Sequence, residues 1–230
     1  MRPRAVEIAW LDSELWDRLS TFNQPVSDSE QLALAAVVRA WRCLRGIQTL
    51  LDRGCRDLVG LLIRNAWECW LVGIYLALDG DNAMKVLVGD YNRWFRRQAE
   101  TWKSVTSPIQ GADNWPEDRL DFESIANDVR GLLATQPPSP LLDAPAFYNS
   151  LYRTESMTGA HANLGLLVRY VVQHPNGASF DLVPPGHVDD QHVEEMVAAY
   201  VAHLAGIVFR STGIPHTRVE RLFILLSDAD

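Results

Sequence analysis

The chain has 230 residues, of which 47% are hydrophobic and 22% charged, so it can bury an ample core and matches neither a disordered segment nor a fibrous repeat. Its formal net charge of −8 disfavours broad attraction to phosphate backbones or anionic lipid, and double-stranded nucleic acid is therefore not an expected partner. Three cysteines without CxxC spacing form no disulfide framework, and no signal peptide is recognisable, so reduced thiols in a cytoplasmic protein are predicted.

Helical periodicity dominates the chain, because apolar residues return every three or four positions. Ser27 and Glu30 have the spacing of a capping box, and Gly54 should end the helix that this box begins. In chain order the predicted helices cover residues 4–20, 29–52, 56–79, 82–105, 117–134, most of 144–172, 188–211 and a short stretch opened by Pro215.

The predicted helix over 82–105 is sharply amphipathic. Its charged face is expected to be solvated. The opposite face carries large apolar residues, namely Met84, Leu87, Val88, Tyr91, Phe95 and Trp102, with Trp94 at its edge.

The segment at 136–141 is the strongest interruption of the chain, since it contains three prolines. It is a weak candidate for a domain boundary, because the residues after it have no independent core. Downstream, Asn176-Gly177 is a favoured turn between apolar strands. We therefore predict one all-α domain over 1–230, a bundle of about eight or nine helices with one small β-hairpin near 170–183.

The stretch from Leu58 to Leu78 is mostly apolar but carries Arg64, Asn65 and Glu68 at its centre. It is long enough to span a bilayer, yet charges at mid-span would cost several kcal/mol. A buried core helix is the better interpretation, and no membrane association is predicted. Arg64 and Glu68 are four residues apart, the spacing at which opposite charges pair on a helix.

Two polar rows are predicted from helical spacing. Arg64, Glu68 and Tyr75 share one stripe of the third predicted helix. Tyr152, Ser156 and Asn163 align on the helix after the prolines, together with Tyr148 and Gly159. If the two rows face one another, they form a polar site between two helices.

His161 lies about half a turn away from the second row and joins it only if the chain bends at Gly159. In such a site Arg64 could hold an anionic group, while Glu68 and His161 could transfer protons. The same residues could instead be a structural network that fixes helix register. Both interpretations stay open.

Motifs for other chemistry are missing from the sequence. It contains no HExxH or ExxH pair, no glycine-rich phosphate loop and no GxSxG elbow. No metal and no cofactor are therefore predicted.

The combination of Arg64-x3-Glu68 with Tyr152-Arg153-x2-Ser156 and His161 resembles an uncharacterised bacterial family of all-helical proteins close to the HEPN-like domains. The resemblance covers most of residues 55–175. It implies a helical bundle of defence or stress response, with a small or nucleotide-like ligand bound in an interhelical polar pocket and with hydrolysis as an option.

The ribonuclease branch of HEPN proteins has an arginine followed, after four to six residues, by a histidine. Arg153 and His161 are separated by seven residues and fall outside that window. Arg169 with His174 and Arg210 with His216 fit it, which is about what chance gives. The alternative to a ligand-binding protein is a non-enzymatic helical interaction module, a homodimer whose polar cluster is structural.

Overall fold

The computed structural model describes residues 4–55, 58–101, 120–136, 171–174, 177–180 and 190–227. Within these ranges the chain forms seven helices and two short strands, so the predicted all-α class is confirmed there. The helices are α1 (Ala5–Ser20), α2 (Asp28–Asp52), α3 (Val59–Leu78), α4 (Gly80–Thr101), α5 (Phe122–Leu133), α6 (Asp190–Ser211) and α7 (Thr217–Ser227). The strands are β1 (Val171–His174) and β2 (Gly177–Phe180).

Local signals set both ends of α2. The Ser27 hydroxyl accepts the Glu30 backbone N–H at 3.3 Å, and the Glu30 carboxylate accepts the Ser27 N–H at 2.7 Å, which completes the predicted capping box. The Ser27 hydroxyl also donates to Glu30 Oε2 at 2.7 Å, and the two bonds that the carboxylate accepts from the Ser27 amide and hydroxyl lower the pKa of Glu30. Beyond the C-terminus Gly54 has φ of 73°, a conformation that glycine adopts without strain.

The junction between α3 and α4 is a single residue. Asp79 leaves the helical region with φ of −144° and ψ of 61°, and α4 begins at Gly80. A Cβ at Gly80 would lie 2.6 Å from the Ser29 hydroxyl at the start of α2. The glycine therefore permits the close approach of this turn to α2.

The core is built around α6, which packs on α2, α3 and α7. Leu204 and its neighbours on α6 are inaccessible to solvent. At the crossing of the three long helices, a Cβ on Gly73 would lie 2.6 Å from Leu204 Cδ1 and 3.0 Å from Ala36 Cβ. The absence of a side chain at Gly73 thus lets α3 approach both α2 and α6.

The apolar face predicted for α4 packs only in part, since Met84 and Leu87 are partly buried against the core. Val88, Tyr91 and Trp94 are exposed, whereas the buried side chains of α4 are those of Ala83 and Asn92. Helix packing is decided by what the neighbouring helices accommodate, and here small and polar side chains lie inside. Val88, Tyr91 and Trp94 consequently form a surface stripe.

The two strands pair antiparallel, with Val171 opposite Phe180 and His174 opposite Gly177. The observed second strand begins at Gly177, which the sequence pattern assigns to the turn, whereas the predicted second strand is at 180–183. The count of eight or nine helices, a hairpin near 170–183 as the sole β element and the boundary at 136–141 involve residues outside the described ranges. These finer points stay predictions.

In the described part of the chain, two helices are long and apolar enough to cross a membrane, judged by length and composition alone: Val59–Leu78 of α3 and His192–Ser211 of α6. Core helices of soluble proteins meet the same criterion. Each of the two helices contains an apolar stretch of 18 residues, and the two stretches differ in burial. In α6, 89% of that stretch is buried inside the bundle, whereas in α3 the share is 50%.

Candidate functional site

Arg64 and Glu68 form the predicted ion pair on α3. Arg64 Nε lies 2.9 Å from Glu68 Oε1, and each side chain is 24% exposed. Along the same stripe Leu61 is exposed and Leu71 is fully buried. The pair therefore lies where α3 passes from solvent into the core, in a partly buried position.

Arg39 and Cys43 of α2 lie electrostatically close to Glu68 and to its neighbour on α3, Cys69. Burial raises the pKa of Cys69 to about 12, with further contributions from Cys43 and Glu68, while the positive charge of Arg39 opposes them. Burial likewise raises the pKa of Cys43, again opposed by Arg39. Both thiols are free and stay protonated at neutral pH, so they are not prepared as nucleophiles.

Tyr75 lies two turns beyond Glu68, about 10 Å further along the helix axis at 1.5 Å per residue. It is buried, and burial together with the negative charges of Asp128 and Asp79 raises the pKa of its phenol. Asp128 belongs to α5, which packs on α3. The structure thus brings Arg64 and Glu68 together, and places Tyr75 at a separate point of α3.

The second predicted row lies outside the described residues. This applies to Tyr152, Ser156, His161 and Asn163, and their proposed meeting with α3 stays a prediction.

A buried histidine on α6 is the polar centre that sequence reasoning missed. Nδ1 of His203 accepts the indole N–H of Trp70 at 3.1 Å, and its ring stacks on Phe223 with centroids 4.5 Å apart. Burial, and secondarily the charge of Arg210, lower the pKa of His203 to about 4. His203 is therefore neutral at pH 7 and joins α3, α6 and α7 as an uncharged hydrogen-bonding group. One polar residue inside an otherwise apolar stretch of helix was the available signal.

A second missed feature is the buried carboxylate of Glu14. Its Oε1 lies 2.8 Å from Arg18 Nε, and its Oε2 lies 3.1 Å from Arg218 Nη1. Arg218 belongs to α7, so the carboxylate joins the first helix to the last. Two guanidinium groups compensate its burial, which is the condition under which a buried charge is tolerated.

Of the two arginine–histidine pairs with ribonuclease-like spacing, the structure describes Arg210 and His216, at the α6–α7 turn. Both approach Glu220: Arg210 is paired with its carboxylate, and His216 Nε2 lies 3.9 Å from Oε1. The guanidinium is therefore engaged in holding α7 against α6.

Among the residues that the structure describes, no group of three or more His, Cys, Asp or Glu side chains is arranged to hold a metal ion. Comparison of the chain with protein-family models, with curated proteins and with solved structures gave no match. The resemblance to HEPN-like proteins stays a prediction, and the candidate chemistry depends on the residues described above.

Proposed function

We propose that the protein binds a small anionic, nucleotide-like ligand at the partly open side of α3, as an HEPN-like helical protein of bacterial defence or stress response. The observation that supports this proposal is the Arg64–Glu68 pair at 2.9 Å, each side chain being about one quarter exposed. Arg64 would bind the anionic group, because a guanidinium offers several fixed donors to phosphate or carboxylate. Tyr152, Ser156 and Asn163 would complete the pocket from the segment after the prolines, with Tyr75 at its far end.

The chain offers a matched control for Arg64. Arg93 and Asp90 on α4 form a pair of similar geometry, with Arg93 Nη2 2.7 Å from Asp90 Oδ1 and exposures of 27% and 30%. Loss of either arginine should therefore affect folding to a similar extent. Only the loss of Arg64 should affect ligand binding.

The test is a calorimetric titration of adenosine 5′-monophosphate and of inorganic phosphate into the native chain, Arg64→Ala and Arg93→Ala. We expect the nucleotide to bind the native chain and Arg93→Ala equally, and Arg64→Ala at least about tenfold more weakly. Absence of binding to the native chain, or equal binding by all three proteins, would refute the proposal.

If hydrolysis follows binding, Glu68 and His161 are the proposed acid–base residues. Glu68→Gln and His161→Ala should then abolish release of phosphate from a nucleoside triphosphate while leaving its binding measurable. Unchanged turnover in both variants would remove them from that role.

A second candidate function is a non-enzymatic homodimerisation module. The exposed stripe of Val88, Tyr91 and Trp94 on α4 favours it, because contiguous apolar surface marks interaction sites. Tyr91 also contacts Trp94 and Phe95, with ring centroids 6.0 and 6.1 Å apart. A dimer that Trp94→Ser converts to monomer in sedimentation equilibrium would support this function. A concentration-independent monomer would exclude it.

A cytoplasmic location is part of the proposal and is supported by three free thiols and by the charged pair within α3. Recovery of the native protein in the soluble fraction after detergent-free lysis is expected. Recovery only with detergent would indicate that α3 spans a membrane.

A further inference from the structure

A concave surface lies between α1 and α2, and neither Arg64 nor Glu68 lines it. It encloses about 500 Å³, a volume suited to a small ligand, and includes Trp16, Trp41, Arg42, Arg45 and Thr49. Among the described residues, two arginines and no carboxylate line this groove, although the chain as a whole has a net charge of −8. Because Asp12 is paired with Arg45, Arg42 is the group that makes the groove locally positive on an acidic protein.

One wall of the groove is held in place by Asp12. The Trp41 indole N–H donates to Asp12 Oδ1 at 2.7 Å, and Arg45 Nη1 lies 3.7 Å from the same oxygen. The Arg45 guanidinium also lies 5.9 Å from the centroid of the Trp41 ring, within cation–π distance. Trp41 is thus held in place without a ligand, and the exposed Arg45 side chain lies beside it.

Trp16 supplies an accessible aromatic surface. Its ring stands edge-on to Trp41, with centroids 6.3 Å apart and an interplanar angle of 67°, and the side chain is 60% exposed. An indole face left in water is a stacking surface for a planar ring. The position of Trp16 at the groove makes that surface part of the same concave site.

Arg42 supplies the cation. It is exposed, and in the described part of the chain it has no ion-pair partner, whereas Arg45 is already engaged by Asp12. An exposed guanidinium beside a stacking surface is suited to a ligand that combines an anionic group with a planar ring.

We infer that the α1–α2 groove binds a small planar aromatic anion, with its ring stacked on Trp16 and its anionic group held by Arg42. Nucleoside phosphates and aromatic carboxylates share this chemistry. This site is independent of the function proposed for Arg64.

The experiment uses the full chain carrying Arg64→Ala, so that binding reports the groove and not the α3 site. The probes are adenosine 5′-monophosphate and indole-3-acetate, with adenosine and inorganic phosphate as the separate halves of the nucleotide, each titrated by calorimetry. At least one of the two aromatic anions should bind. If adenosine 5′-monophosphate binds, adenosine and inorganic phosphate should each bind at least about tenfold more weakly than the nucleotide. The preferred anion distinguishes a phosphate ligand from a carboxylate ligand.

Matched variants separate the groove from general effects. Trp16→Ala and Arg42→Gln should each weaken binding at least about tenfold. Two control variants should leave binding unchanged. Trp10→Ala removes a tryptophan of α1 that is 49% exposed and does not line the groove, and Arg53→Gln removes the charge of an exposed arginine beyond α2. Circular dichroism of each variant shows whether it has folded.

Three results would overturn the inference. The first is that neither aromatic anion binds. The second is that folded Trp16→Ala and Arg42→Gln variants bind as well as the Arg64→Ala chain from which they are made. The third is that Trp16→Ala abolishes self-association of the chain, which would assign the groove to a second copy.

Discussion

Helices α3 and α6 are almost equally apolar but occupy different environments. Their mean hydropathies are 1.3 and 1.2. Yet only 50% of the apolar 18-residue stretch of α3 is buried, compared with 89% of the corresponding stretch of α6. Helix α6 is enclosed by α2, α3 and α7, whereas α3 keeps one side partly open. Apolar composition therefore predicts that both helices contribute to the core, and only packing shows which one carries accessible polar groups.

The polar groups of the two helices differ accordingly. The enclosed helix holds His203, which is neutral and accepts a hydrogen bond from Trp70. The partly open helix holds the charged pair Arg64–Glu68. Towards its N-terminus α6 also buries the carboxyl side chains of Glu194 and Glu195, so the contrast holds for the middle of each helix, where a neutral hydrogen-bonded group costs far less to bury than a charge.

The largest expected contrast comes from removing a leucine from each helix. Leu204→Ala on α6 should lower the free energy of unfolding by about 2 to 5 kcal/mol, since it opens a cavity in a fully buried site. Leu61→Ala, at an exposed position of α3, should change it by no more than about 0.5 kcal/mol. Urea denaturation of both variants measures the two values, and equal losses would contradict the distinction between the helices.

Acid should destabilise the protein through His203. The unfolded chain binds a proton at this side chain near pH 6.5, but the folded chain does so only near pH 4. The free energy of unfolding should therefore fall as the pH drops through that window, by about 3 kcal/mol from this group. His203→Gln should remove this contribution to the pH dependence of the free energy of unfolding. His192→Gln, at an exposed position of the same helix, should retain it. Parallel pH profiles for native and His203→Gln proteins would show that His203 titrates normally.

Two glycine substitutions should act in opposite directions. Gly73→Ala places a Cβ against Leu204 and Ala36 and should cost about 1 to 3 kcal/mol, because the helices must move apart. Gly131→Ala on α5 meets no atom within 4 Å and should stabilise the fold by about 0.5 to 1 kcal/mol through helix propensity. Thermal unfolding measures both, and stabilisation by Gly73→Ala would contradict the close approach of α2, α3 and α6.

Local features of the fold are predictable from this sequence, because capping and chain reversal depend on a few adjacent residues. The Ser27–Glu30 capping box and the end of α2 before Gly54 are examples. The Arg64–Glu68 pair is predictable for the same reason, since both partners lie on one helix.

Features that depend on how helices meet were not predictable. The stripe of Tyr91 and Trp94 looks like part of a packing face, but it is exposed, because α4 packs through its first half, at Ala83, Met84 and Leu87, and through Asn92. His203 lies in an apolar run, and only its tertiary contacts with Trp70 and Phe223 distinguish it from a surface histidine. Contact between α3 and the row of Tyr152 and Ser156 likewise depends on how helices pack, and it remains a prediction.

The central claim is that Arg64 and Glu68 are placed for binding and contribute little to folding. A double-mutant cycle with Arg64→Ala, Glu68→Gln and the combined variant, followed by urea denaturation, measures their coupling most directly. A parallel cycle with Arg93→Ala and Asp90→Asn is the control. We expect a coupling of about 0.5 kcal/mol in both cycles. A loss of about 3 to 5 kcal/mol on removing Arg64 alone would instead identify a structural core pair and contradict the claim.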